Sequence, residues 1–253
     1  MPTPCVHLAL PLLLLNCPTP PIATDAPQEP APQVVRVEGD PDALRVIRDG
    51  ERYRAGDSFT EAALPEGYPA PTHPEAVEIK TYPPVRRAQV SGPRGSNPSP
   101  ARGFFPLFNH IKKHDIAMTA PVEMILAGEG LPQPEGDALD THTNEQGQGW
   151  TMSFLYRTPD LGPTGTDAGV EIIDAQAVTV LALGVRGRLD EAATQAGLTR
   201  LMAWIESDGR FEIAGHARTL GYNGPYVPRD LQWWEIQIPL RPIEAESGDP
   251  TGD

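Results

Sequence analysis

From residue 77 onward the chain alternates apolar and polar positions in short runs. In Val77–Tyr82 (VEIKTY), Val77 and Ile79 fall on one face and Glu78 and Lys80 on the other, which predicts a strand. Pro83 and Pro84 interrupt it, and residues 85–90 resume the extended pattern. After a glycine/proline loop over 92–100 the period changes. Phe104, Leu107, Phe108 and Ile111 are spaced i, i+3, i+4, i+7, predicting a helix near 101–114 with one apolar face. Pro106 suits its first turn. Lys112, Lys113 and His114 suit the negative end of its dipole. Alternation returns over 116–126 (IAMTAPVEMIL). Ile116, Met118, Ala120, Val122, Met124 and Leu126 share one face, and Thr119, Pro121 and Glu123 the other. The proline predicts an edge strand or a bulge. After a long loop, residues 150–157 (WTMSFLYR) predict another strand.

The plan then repeats. Residues 170–173 and 177–185 read as extended, and the second run (AVTVLALGV) is apolar on both faces, which places it inside a sheet. Asp190 is the predicted N-cap of a helix running to about Ser207, with a stripe of Ala193, Gly197, Leu201, Trp204 and Ile205, and Gly209 as its stop. Residues 211–222 and 233–240 predict strands. In the last, Trp234, Ile236 and Ile238 oppose Glu235 and Gln237. Strand, helix, strand, strand therefore occurs twice. This predicts an α+β fold in which two such units build one curved sheet or barrel with two outer helices and a groove on the sheet.

Composition limits the rest. The 30 prolines and 24 glycines among 253 residues crowd into 18–33, 64–74, 92–100, 128–149 and 158–169, which leaves mainly one domain, over 75–242. Residues 34–74 are expected to form a short hairpin or helix and a loop, packing on that domain or leading into it. Residues 243–253 form an acidic tail. The net charge of −14 argues against nucleic acid as a partner. Cys5 and Cys17 are the only cysteines, so the domain has no disulfide, thiolate metal site or cysteine nucleophile. Residues 6–15 (VHLALPLLLL) match the apolar core of a signal peptide and are too short to span a bilayer. LLLLNC at 12–17 resembles a bacterial lipobox, although Asn16 stands where a small residue is usual. Residues 1–17 are thus expected to be a signal peptide or lipoprotein leader, with membrane attachment through a lipidated Cys17. Residues 18–33 read as a proline-rich spacer. The protein is expected to be exported, periplasmic or membrane-anchored. Nothing in the sequence implies an obligate protein partner.

Three segments carry a family resemblance. FFPLFNHIKKHDIAMTAPVEM (104–124), LGYNGPYVPRDLQWWEIQI (220–238) and VEIKTYPPVRRAQV (77–90) together resemble the SOUL haem-binding family, in order and spacing, from about Val77 to Pro242. The resemblance implies a distorted, pseudo-twofold antiparallel β-barrel with two outer helices, like the effector-binding domains of bacterial regulators. It also implies non-enzymatic binding of haem or another tetrapyrrole in a shallow apolar groove. Some members place a proposed haem-ligating histidine just before the tyrosine of the opening strand, a position held here by Thr81.

With that resemblance, Lys80, Arg86 and Arg87 are candidates to meet propionates through charge-assisted hydrogen bonds. Met118 and Met124 on their strand's apolar face, and His216 between Gly215 and Ala217, are candidate haem contacts, for which core packing or plain hydrogen bonding is the simpler reading. Glu235 and Glu123 would lie beside a ligand if their side of the sheet lined the groove, and would suit a cationic amphiphile. The simpler expectation for both is solvent-facing charge. His110 and His114, four apart on a helix, have metal-sharing spacing, but no carboxylate pattern nearby completes a site. There is no phosphate loop (residues 92–95, GPRG, are an ordinary loop), no H-E-x-x-H and no nucleophile–base motif. A binding module for another amphipathic molecule is the alternative, and a hydrolase has least support.

Overall fold

Alternation dominates the foldable sequence, and strands dominate the structure. The computed structural model describes residues 33–93, 95–96, 98–126, 131–132, 134 and 148–243. The predicted leader, residues 18–32 of the spacer, the centre of the 128–149 loop and the tail beyond 243 lie outside the described residues. The N-terminal elements are β1 (Val34–Glu38), β2 (Ile47–Asp49), β3 (Arg52–Ala55) and β4 (Ser58–Phe59). Then come β5 (Val77–Tyr82), β6 (Val85–Pro93), α1 (Phe105–Lys113), β7 (Val122–Leu126) and β8 (Gln148–Leu155). After β9 (Gly165–Asp167), the chain forms β10 (Val170–Ala175), β11 (Val178–Arg186), α2 (Glu191–Asp208), β12 (Phe211–Ile213), β13 (Arg218–Gly221) and β14 (Trp233–Pro242).

One 11-stranded sheet runs β1-β5-β11-β14-β13-β7-β8-β6-β10-β9, with β12 added on β14. Its strand pairs are antiparallel. The path ends at β1 and β9, so among the described residues the sheet stays open and no barrel closes. The run β6-α1-β7-β8 and the run β11-α2-β13-β14 occupy matching places on either side of the central β13–β7 pair. As predicted from its apolar faces, β11 is interior, between β5 and β14. Asp190 caps α2 by accepting from the Ala193 N–H at 3.1 Å, and Gly209 ends the helix with φ 68°, in the left-handed region a glycine enters without strain.

Both helices lie on one face of the sheet. Leu198, Leu201 and Ile205 of α2 pack on Leu181, Leu183, Ile236 and Ile238. Leu107 and Ile111 of α1 pack on Ala88, Val90, Trp150 and Phe154. The face turned away from the helices is also buried. Ala55 from β3, with Tyr53, Ala62 and Tyr68, packs there against Tyr82, Val180, Ala182, Leu220, Tyr222 and Trp233. The polar positions of the central strands β5, β13 and β14 therefore face a second core.

Several expectations are corrected. Glu123 and Glu235 are not solvent-facing but 1 % and 0 % exposed. The strand expected over 116–126 begins only at Val122, and it lies between β13 and β8, not at an edge. Pro121 precedes it, so no ladder donor is lost. The run 211–222 is two strands, broken at residues 214–217. Phe108 is 40 % exposed, and His110 takes a buried place on α1 instead.

Candidate functional site

On the far face, distant strands supply one another's counter-charges. Lys80 of β5 reaches Glu235 of β14 at 2.8 Å, and both side chains are fully buried. Glu235 also accepts from the Thr72 N–H at 2.5 Å, the Tyr82 hydroxyl at 3.1 Å and the Gln237 amide. Burial works against its ionisation, but the Lys80 charge and these donors outweigh it and hold the carboxyl below its usual range. Glu123 of β7 bridges Arg87 at 2.5 Å and Arg218 at 2.8 Å. Arg218 continues to Gln237 at 2.8 Å and lies over the Tyr82 ring, 5.4 Å from its centroid. Burial pushes the Tyr82 and Tyr222 hydroxyls well above the usual tyrosine range, so both stay neutral donors. Every acid in this network faces a cation. Its chemistry is structural rather than receptive: an incoming charge would have to break an existing pair.

On the helix face the register places Ile236, Thr219, Met124, Met152 and Val90 in one row across the sheet. The middle of that row is left open beside α1. There a cleft of about 540 Å³ is walled by Phe104 and Phe108 and floored by Val122, Met124, Met152 and Trp234. Met118 and Tyr226 stand at its sides, 37 % and 95 % exposed. Gly221 lies directly beneath Trp234, and a Cβ there would fall 2.5 Å from the indole Cζ3. Glycine is what lets this ring lie flat on the strand. Phe104 stacks on Phe108 with centroids 5.8 Å apart. Among the described lining residues there is no lysine or arginine. The charged one is Glu61, whose Oε2 accepts from the Gly224 N–H at 2.5 Å.

The sequence-derived candidates thus separate. Lys80, Arg87 and Glu235 come together, but in the far-face network rather than the cleft. Met118 and Met124 line the cleft. Arg86 lies on β6 against β10, paired with Asp174 through two contacts of 2.7 Å and bonded to the Gly162 carbonyl at 2.5 Å. His216 is buried in the break between β12 and β13 and does not line the cleft. Thr81 bonds Thr179 on the neighbouring strand at 3.1 Å, so no imidazole stands there. Trp234, Met152, Tyr226 and Glu61 were not singled out from the sequence. One signal was present: Phe104, Phe105 and Phe108 spread apolar surface over more of the helix predicted near 101–114 than one buried face needs.

A protein-family model described as SOUL heme-binding protein matches residues 68–239. It starts earlier than Val77 and takes in Tyr68 and Thr72, which cover the far face. No curated protein matches the chain. Among solved structures the chain is similar to EcmrR in its complex with DNA, at 14% identity and a TM-score of 0.48, covering 66% of this chain and 57% of that one. It is also similar to a hydrolase from Listeria innocua, at 12% identity and a TM-score of 0.45, covering 68% and 94%. A third similar structure is SAV2435 bound to tetraphenylphosphonium, at 10% identity and a TM-score of 0.38, covering 65% and 93%. The chain spans little more than half of the EcmrR chain.

Proposed function

We propose that this chain, which belongs to the SOUL heme-binding protein family, binds haem or another tetrapyrrole in the cleft beside α1 and catalyses no reaction of its own. The observation that carries this reading is the open apolar cleft, with Phe108, Met118 and Tyr226 left exposed around it. Large exposed apolar side chains gathered at one concavity mark a binding surface, and about 540 Å³ lies within the roughly 300–1,000 Å³ of small-molecule sites. The lining fits a flat apolar macrocycle: aromatic faces on one wall, flexible methionines on the floor. If haem binds here, Met118, Met124 and Met152 are the cleft residues whose thioethers would meet it, and its iron would supply the redox and ligand-binding chemistry. With Lys80 and Arg87 committed to buried pairs and no base in the described lining, we place the propionates at the rim, in water, and assign the affinity to apolar burial. The matching order of the two strand–helix–strand–strand runs supports a pseudo-twofold relation between them. The leader pattern of residues 1–17 supports export, with lipidation of Cys17 as the proposed attachment.

The test is titration of the protein with hemin, following the Soret band. A saturable one-to-one shift at micromolar ligand is expected. Phe108→Ala should weaken it about 10–100-fold, from the roughly 1.5–3 kcal/mol of burying one such side chain. No saturable shift, or one indifferent to Phe108→Ala, refutes the reading. One observation favours a second reading: the charged group in the described lining is acidic. A cationic amphiphile would then bind with Glu61 as counter-ion, and Glu61→Gln should weaken that ligand while sparing hemin. Glu123 and Glu235 do not line the cleft and are already paired, which leaves the hydrolase alternative without support.

A further inference from the structure

A second constellation lies elsewhere on α1. Phe108, in the cleft wall, and His110 are about 200° apart around the helix at about 100° per residue, so this group is separate from the cleft. His110 and His114 are one turn apart, with ring centroids 4.6 Å from each other. In the sequence no nearby carboxylate pattern completes a site with them. The fold brings a carboxylate from β9: Asp167 Oδ2 lies 3.0 Å from His110 Nδ1 and 2.8 Å from His114 Nε2. The donor atoms of the three residues all fall within 4.8 Å of one another.

The surroundings are those of a ligand set. His110 Nε2 is 2.9 Å from the buried Tyr156 hydroxyl. With the ring proton on Nε2, donated to Tyr156, the Nδ1 lone pair faces Asp167, which is the outer-sphere arrangement that orients metal-binding imidazoles. Two ligands about 2.1 Å from a tetrahedral ion sit about 3.4 Å apart, so the two histidine–Asp167 separations need to open by about 0.4–0.6 Å. Lys113 Nζ also touches Asp167, at 2.8 and 3.0 Å. Its side chain is 61 % exposed and free to swing into solvent. Alongside runs a pocket of about 250 Å³, lined by His110, His114 and Asp167 with Ile116, Leu161 and Thr164.

We propose that His110, His114 and Asp167 bind a divalent transition-metal ion, zinc being the best match, with a fourth position left to water on the pocket side. Two imidazoles and one carboxylate suit zinc and its neighbours. Magnesium and calcium favour oxygen-only shells. Three protein ligands with one open position is the coordination that zinc adopts where it meets a small molecule. Lys113 holds the carboxylate in place of the ion when the metal is away.

The test uses the full chain carrying Cys5→Ser and Cys17→Ser, so that thiolates cannot contribute. Zinc is titrated by calorimetry and cobalt(II) by its visible d–d bands. One ion per chain is expected, with an intense tetrahedral cobalt spectrum. Asp167→Asn and His114→Ala should each cost more than the roughly 10–100-fold that an outer-sphere partner costs. Tyr156→Phe should fall within that range. Lys113→Met should tighten binding, because it removes the competing cation. This separates a metal site from a plain ion-pair anchor, which gains nothing from losing Lys113. Circular dichroism checks that each variant is folded. No saturable cobalt spectrum, or binding that survives both Asp167→Asn and His114→Ala, overturns the proposal.

Discussion

Lys80→Met is the sharpest perturbation of the far-face network. The Lys80 and Glu235 side chains are both 0 % exposed and 2.8 Å apart. Methionine keeps most of the volume and removes the charge. Glu235 then retains the Thr72 N–H, the Tyr82 hydroxyl and the Gln237 amide, all uncharged. Breaking a buried pair by removing one partner costs about 3–5 kcal/mol. At roughly 2–4 °C per kcal/mol for a domain of this size, that lowers Tm by about 6–20 °C. Adding Glu235→Gln should restore much of the loss, since the uncompensated charge is then gone. The pH dependence has a definite sign. In the unaltered protein the Glu235 carboxyl is held below its usual range, so its contribution is present above about pH 4.3 and is lost as pH falls through the folded-state value. Without Lys80, burial dominates and lifts the folded-state pKa above the unfolded one. The deficit is then smallest in acid and grows as pH rises from about 4 toward neutrality. Urea denaturation of the single and double variants across that range measures all three effects. A single variant within about 1 kcal/mol of the parent, or a double variant no more stable than the single, would refute a dry, paired interior.

Gly184→Ala should destabilise by about 1–3 kcal/mol or more in the same assay, because its Cβ would lie 2.2 Å from the His73 carbonyl oxygen, a backbone atom that cannot step aside. Gly221→Ala should displace Trp234 and weaken hemin binding more than it lowers Tm; equal hemin affinity in parent and variant would exclude Trp234 from the site. Asp190→Ala should cost about 1 kcal/mol through loss of the α2 cap, read from thermal melts, with hemin and zinc titrations unchanged.

The local periodicities located most elements without any tertiary information. The spacing of Leu107 and Ile111, the cap at Asp190, the stop at Gly209 and the two-faced apolar run of β11 each follow from chemistry between near neighbours, which is why they were legible. The three family segments were equally local. What alternation cannot say is what covers each face of a strand. It marks Glu123, Glu235, Lys80 and Arg87 as one side and is silent on whether water or protein lies beyond. Here protein lies beyond, because the segment around Ala55, Ala62 and Tyr68 folds over that side. The charges tolerate this only because partners arrive from far along the chain, 155 residues away for Lys80 and Glu235 and 95 for Glu123 and Arg218. Asp167 reaches His110 across 57 residues in the same way. Sequence alone therefore determined most of the elements, their order and the family. Only the tertiary structure decided which charges are buried, where the cleft opens and which carboxylate joins the two histidines. Burial and ion pairing are set by distance in space, and the spacing of residues along a chain does not encode that distance.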